Sequence, residues 1–265
     1  MSKRTDRIRK KLADGEICSG IFFYMASPMA AEIMADTGFD FVAVDAEHHP
    51  FNPETLLHIL LAFKGSDTVP MIRVPWNDPI MIKQALDMGY EGIITPQTNT
   101  AKEAQKAVAA CRYPPVGTRG FGPTRPTEYY KDNGKYVRTA NESIICAIQI
   151  ENVSGAHDIE NIVKVPGIDW ILLGRYDMSA SVGNWCDVEH PDLWKAIKKI
   201  MDTANGAGVI AGLPLGGPES IQRTVAFGSK IVFVGTDCSF LQSAADNALQ
   251  EFNKAIRNKA EGLRR

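Results

Sequence analysis

The chain predicts one closed (β/α)8 barrel, and three features of its 265 residues point there. Short apolar runs suited to buried strands alternate eight times with helical stretches, which nearly forces a parallel sheet. The links are short, and eight strands is the number at which such a sheet closes, in a domain of about 250 residues. The third feature is an absence. The first strand leads into Tyr24-Met25-Ala26-Ser27-Pro28, with no G-x-G-x-x-G of the open doubly wound sheet. No linker or internal repeat interrupts the pattern, so a single domain over residues 1–265 is expected.

Taken in order, a short amphipathic helix over 7–13 closes at Asp14-Gly15, before a first strand over 17–24. A helix over 28–37 is stopped by Gly38. The run Phe39-Asp40-Phe41-Val42-Ala43-Val44 is the second strand (39–44), followed by a helix over 53–63. Thr68-Val69-Pro70-Met71-Ile72-Arg73-Val74 is the third strand; its helix, 78–88, ends with Gly89 in the C′ position. Strand four, 92–95, stops at Pro96, and Asn99 or Thr100 caps a helix over 100–111. Residues 112–142, rich in Pro, Gly, Tyr and Arg, read as irregular. Strand five over 144–150, a helix near 158–163 and strand six over 168–173 follow. A helix over 191–205, strand seven over 208–213, a helix over 218–227, strand eight over 230–234 and a closing helix over 240–257 complete the chain.

Composition narrows the function. With 45% hydrophobic residues, 23% charged residues and a formal net charge of −2, nothing favours nucleic acid. The five cysteines are odd in number, far apart and never spaced C-x-x-C, so neither a disulfide framework nor a zinc site is indicated. The charged N-terminus is followed by no signal-like segment and by no span of about 18 apolar residues. A cytoplasmic protein without membrane or nucleic-acid partners is the expectation.

Chemistry in such a barrel collects at the C-terminal strand tips. Those tips offer Asp45, Glu47 and His48 after strand two, Arg73 on strand three, Gln149 and Glu151 at strand five, and Asp177 after strand six. Glu151 and Asp177, from adjacent strands with no Cys or His nearby, suit a hard cation such as Mg²⁺ or Mn²⁺ and leave positions for water and a chelating 2-oxo acid. A helix cap or a salt bridge is the structural alternative for each acid. Arg73 could steady a developing enolate oxygen or simply bridge to Asp45 or Glu47. His48 suits a general base at neutral pH, although strand alternation alone does not separate it from His49. No strand tip carries a lysine, which disfavours imine chemistry: Lys164 and Lys230 precede strands six and eight, at the opposite end.

These pieces, in order, are Gly38-Phe39-Asp40-Phe41 through Asp45-Ala46-Glu47-His48, Arg73-Val74-Pro75-Trp76-Asn77-Asp78-Pro79, Leu86-Asp87-Met88-Gly89, Arg112-Tyr113-Pro114-Pro115-Val116-Gly117-Thr118-Arg119-Gly120, Gln149-Ile150-Glu151 and Gly174 to Ser179. Together they resemble the HpcH/HpaI family of class II, metal-dependent pyruvate aldolases, the group around 4-hydroxy-2-oxoheptanedioate aldolase. The resemblance implies a TIM barrel of the phosphoenolpyruvate/pyruvate type whose last helix is exchanged between subunits, in a homohexamer built as a trimer of dimers. It implies a lyase that reversibly cleaves a 4-hydroxy-2-oxo acid to pyruvate, or a close 2-oxo acid, and an aldehyde. Oxaloacetate-type decarboxylation, or another carbon–carbon bond-forming use of the enolate, is the alternative at the same site, and a non-catalytic barrel is a remoter one. Glu151 and Asp177 would hold Mg²⁺ or Mn²⁺, with Co²⁺ admissible. His48 would be the base, and Arg73 would bind the keto oxygen. Asp87 would reach the site from a neighbouring subunit, a role that only the resemblance suggests. Gln149, Gly174 and Asp177 would help hold the substrate, while Asp45 and Glu47 would orient the neighbours and the water around the ion. Departures from the family pattern at Pro123, Arg125, Arg175 and Tyr176 mark candidate specificity positions.

Overall fold

The computed structural model describes residues 3–214 and 218–262; the remainder of the expected 1–265 domain lies outside the described residues. Eight parallel strands close a barrel in chain order: β1 Cys18–Phe23, β2 Phe41–Asp45, β3 Val69–Arg73, β4 Gly92–Thr95, β5 Ile145–Ile150, β6 Trp170–Leu173, β7 Ile210–Gly212 and β8 Ile231–Thr236, which returns to β1. Helix α1 (Lys3–Ala13) precedes them; α2 (Pro28–Asp36), α3 (Pro53–Leu61), α4 (Pro79–Met88) and α5 (Ala101–Cys111) follow the first four strands. Then come α6 (Asn133–Ser143), α7 (Gly155–Ile162), α8 (Arg175–Ser181), α9 (Pro191–Gly206), α10 (Pro218–Ala226) and α11 (Asp237–Gly262). The start signals are local. Ser27, Asn52, Asp78 and Thr100 each accept a backbone N–H in the first turn of the helix they open, and proline occupies the first turn of α2, α3 and α4. Gly89 ends α4 at φ +109°, a left-handed conformation that a side chain would oppose.

Two cores follow from the period of two along each strand. Phe41 and Ala43, Val69 and Met71, Ile145 and Ala147, and Trp170 and Leu172 point into the barrel and pack with Phe22 and Phe233. Val42, Val44, Ile72, Ile93, Ile148 and Ile171 face outward, against the helices. Helix α1 seals the N-terminal end by burying Ile8 and Leu12 in the interior core. Its cations meet the acids there: Arg7 Nη1 lies 2.7 Å from Asp40 Oδ1, Lys11 Nζ 2.8 Å from Asp40 Oδ2, and Arg9 Nη2 3.0 Å from Asp169 Oδ1.

One expectation is corrected and one element is added. The segment 112–142 is not irregular throughout, because α6 occupies its end. A sequence containing Gly134, Thr139 and Asn141 has weak helical propensity, so tertiary contacts carry it. Asp132 caps its first turn at 3.0 Å, Ala140 is buried, and Asn141 makes two hydrogen bonds to the Tyr113 backbone, at 2.7 and 3.1 Å. Arg175–Ser181, assigned no element between strand six and the helix over 191–205, forms the two-turn helix α8. Beyond Phe240, α11 leaves the barrel: residues 241–257 are all exposed, Leu249, Phe252 and Ile256 among them. No helix among the described residues is long and apolar enough to cross a membrane.

Candidate active site

The inward rows of the barrel end in polar residues. Continuing Phe41 and Ala43 by two residues gives Asp45; Val69 and Met71 lead to Arg73; Ile145 and Ala147 lead to Gln149 and Glu151. Parallel pairing sets Asp45 directly beside Arg73. Asp45 is fully buried, its Oδ1 accepting Arg73 Nε and its Oδ2 accepting Arg73 Nη2, both at 2.8 Å. The bridge foreseen as the structural alternative for Arg73 is therefore formed. It leaves Nη1, at 3.4 Å from Gln149 Oε1, as the arginine nitrogen outside the bridge. Beneath the guanidinium, the Phe22 ring centroid lies 4.7 Å away.

Besides Asp45, Glu47 and Glu151 lie near this arginine, and the charge of Asp177 acts on both of them. Glu151 Oε1 accepts Gln149 Nε2 at 2.8 Å and its Oε2 accepts the backbone N–H of Gln97 at 2.7 Å. Gln97 adopts a left-handed φ of +49°, unusual for a residue with a side chain, and thereby offers that N–H. Burial pushes the Glu151 carboxyl up to about 7, and the negative charges of Glu47 and Asp177 add to the push despite Gln97 and Arg73. Glu47 is likewise pushed up to about 7, by burial, Asp45 and Asp177 against Arg73. Its Oε2 is buried and has no hydrogen-bond donor among the described residues; Arg73 Nε at 3.3 Å and His48 Nε2 at 3.5 Å lie at ion-pair distance. Asp177 projects from the first turn of α8. Gly174, just before it, has no room for a side chain: a Cβ there would lie 2.5 Å from Glu151 Cγ.

Such crowding of acids with too few donors suits a hard divalent cation. Among the described residues, no group of three or more His, Cys, Asp or Glu side chains is arranged to hold a metal unaided. A cation at Glu151 and Asp177 would accordingly complete its shell with water and substrate.

The two histidines differ. His48 extends outward, its side chain 58% exposed and its Nε2 3.5 Å from Glu47 Oε2. His49 turns inward: Nδ1 lies 3.0 Å from Asp45 Oδ2 and the ring stacks on Tyr24. Other expected residues lie elsewhere within one chain. Asp87 sits in the last turn of α4, at the N-terminal end of the barrel, bound to Arg119 Nη2 at 2.7 Å. Arg125 lies at the same end, donating to Met88 O at 3.3 Å, with buried Pro123 two residues before it. A cavity of about 800 Å³ opens there, lined by Arg4, Tyr90, Arg125, Tyr129 and Tyr136, remote from the carboxylates. At the mouth, Arg175 pairs with Glu189 at 3.4 Å while Tyr176 is exposed.

Sequence reasoning missed Gln97, Tyr24 and Asn99, whose Oδ1 accepts the N–H groups of Glu151 and Asn152, both at 2.9 Å. Two signals were available: Tyr24 follows strand one, and Gln97 follows Pro96 at the tip of strand four.

Comparison with known proteins bears on the family and the fold. Residues 18–244 match the family described as HpcH/HpaI aldolase/citrate lyase. A 5-keto-4-deoxy-D-glucarate aldolase of Shigella dysenteriae serotype 1 is 32% identical over 249 residues, covering 94% of this chain and 97% of its own. The crystal structure of an HpcH/HpaI aldolase/citrate lyase family protein from Burkholderia cenocepacia J2315 superposes with a TM-score of 0.89 at 30% identity, over 93% of this chain and 99% of that one. The HpcH/HpaI aldolase from Desulfitobacterium hafniense DCB-2 gives 0.85 at 27% identity, over 92% and 95%.

Proposed function

The chain belongs to the HpcH/HpaI aldolase/citrate lyase family, and from that premise we propose how its site works as an aldolase. The enzyme is a lyase that cleaves a 4-hydroxy-2-oxo acid reversibly to pyruvate and an aldehyde. The observation that carries the reading is the pair Glu47 and Glu151 beside Arg73 at the strand tips, with the charge of Asp177 close to both glutamates and both pushed up to about 7. Carboxylates in that condition are short of positive charge. Glu151 and Asp177 would hold a divalent ion, Mg²⁺ or Mn²⁺ with Co²⁺ admissible, and when bound that ion supplies Lewis-acid polarisation of the 2-oxo group.

This chain's side chains do the rest. His48 takes the proton of the C4 hydroxyl, the C3–C4 bond breaks, and its electron pair passes to the 2-oxo group as an enolate. Arg73, oriented by Asp45, directs Nη1 at the enolate oxygen. Gln149 orients Glu151, the backbone after Gly174 receives the substrate carboxylate, and Glu47 holds water near His48. The partner subunit's Asp87 orients His48, which fits the exposure of that histidine. Exchange of α11 between subunits of a hexamer is supported by its exposed apolar residues. Pro123 and Arg125, at the N-terminal end, act on acceptor choice only through a neighbouring subunit. Arg175 and Tyr176 flank the mouth, where Tyr176 is free to meet the acceptor.

The relatives' substrate suggests a hydroxylated acceptor aldehyde carrying its own carboxylate. Incubation of the protein with pyruvate, Mg²⁺ or Mn²⁺ and a panel of such aldehydes tests the reading. Metal-dependent condensation, abolished by chelation, is expected. Decarboxylation of oxaloacetate without any condensation would overturn the aldol form.

A further inference from the structure

Of the two neighbouring histidines, His49 is the more firmly held. Its Nδ1 reaches Asp45 Oδ2 at 3.0 Å, and its ring lies on that of Tyr24, with centroids 4.0 Å and planes 14° apart. Burial alone would raise the Asp45 carboxyl, but the hydrogen bonds and charge of Arg73, with the two histidines, hold it below the usual carboxylate range. An ionised carboxylate only accepts, so the proton of the His49–Asp45 bond sits on Nδ1. Tyr24 is itself anchored: its N–H and that of Met25 donate to the two oxygens of Asp237, at 2.9 and 2.8 Å.

A carboxylate gripped by one guanidinium through two parallel bonds can still rock with it as a unit. Donors arriving from other directions remove that freedom: Oδ1 of the buried Asp45 also accepts the backbone N–H of Glu47, at 3.2 Å, and Oδ2 receives the side chain of His49. We propose that His49 is a positioning residue: its Nδ1–H, kept in plane by the Tyr24 ring, locks Asp45 and through it aims Arg73 Nη1 at the oxygen where enolate charge develops. The proposal rests on the role assigned above to Arg73 and extends the site to two side chains that the roles above leave unused. Because the enolate charge is largest in the transition state, loss of the lock weakens catalysis more than substrate binding.

Steady-state cleavage by the native enzyme, His49→Leu, His49→Asn and Tyr24→Leu tests it, with melting temperatures confirming that each variant is folded. Asparagine places an amide N–H near the position of Nδ1 but has nothing at Nε2. His49→Leu is expected to lower kcat by about 10- to 100-fold with KM nearly unchanged. His49→Asn should recover most of that loss, and Tyr24→Leu should reproduce part of it. A folded His49→Leu with native kcat overturns the proposal. So does His49→Asn as poor as His49→Leu, which would assign proton chemistry to Nε2 instead, and so does a loss confined to KM. If the native enzyme fails to cleave at all, the aldolase reading falls and takes this role with it; an active native enzyme beside an indifferent His49→Leu removes the positioning role alone.

Discussion

At the N-terminal end of the barrel, Asp40 receives Arg7 at 2.7 Å, Lys11 at 2.8 Å and the Ser19 N–H at 2.9 Å. Burial opposes ionisation there, yet Lys11, the Ser19 amide and Arg7 hold the carboxyl below its ordinary range. At the C-terminal end, Glu47 and Glu151 share a single arginine already committed to Asp45, and both are pushed up to about 7. Both ends carry buried carboxylates, but the donors per carboxylate differ. One end binds the helix α1 to the barrel, while the other leaves its acids with fewer donors, as the proposed cation site requires. Stability and chemistry are thus assigned to opposite ends of the same strands.

The contrast can be broken most severely at Glu151. Glu151→Gln should lower cleavage by about 10²- to 10³-fold while the melting temperature of the metal-free protein stays level or rises, because a strained acid has gone. Activity and thermal unfolding of the same preparation check both halves. Next, Mg²⁺ or Mn²⁺ at about 100 times its dissociation constant should stabilise the native protein by about 2.7 kcal/mol, and Glu151→Gln should lose most of that gain. Calorimetry with and without the ion measures it.

The opposite substitution belongs at the other end. Asp40→Ala should cost about 1–3 kcal/mol, discounted because Arg7 and Lys11 are partly exposed, and should leave kcat per folded molecule unchanged. Denaturant unfolding and active-site titration separate the two effects.

A smaller effect distinguishes the ends by pH. Glu47 and Glu151 keep their protons in the folded metal-free protein up to about 7, whereas unfolded glutamates release them near 4.5. The unfolded state then binds fewer protons, so their contribution is complete below about 4.5 and is lost as pH rises through about 7. Asp40 has the opposite sign: its contribution is present above 3.8 and is lost as pH falls through its lowered folded value. Melting of the metal-free native protein and of Glu151→Gln between pH 4 and 8 should show a shallower decline in the variant. Bound metal, which requires deprotonated ligands, should make the stabilisation by Mg²⁺ grow over the same interval.

Much of the barrel was legible because its signals are local. β-Branched runs mark strands, glycine and proline mark their ends, and counting by two along β2, β3 and β5 brings Asp45, Arg73, Gln149 and Glu151 to one mouth. Helix α6 escaped because its stability comes from Asp132, Ala140 and the Tyr113 backbone rather than from propensity. Gln97 contributes a backbone N–H, which no side-chain pattern announces. His48 and His49 follow the end of β2, where the strand period no longer says which ring turns inward. Asp87 and Arg125 lie at the N-terminal end of their own barrel, bound to Arg119 and to Met88 O, so a single barrel brings neither to the strand tips.

The bond between Asp237 and Tyr24 joins residues 213 positions apart, and β8 pairs with β1 over the same long separation. At about 5–20 residues per second, a ribosome needs roughly 10–40 s to span that interval. Throughout it, Tyr24 has no acceptor for its backbone N–H, and the strand carrying it lacks one neighbour. The mouth of the barrel is therefore among the last parts to be assembled, and a nascent or truncated chain ending before β8 lacks the support beneath His49. Carbon–carbon bond cleavage has to wait until β8 has been synthesised and has closed on β1.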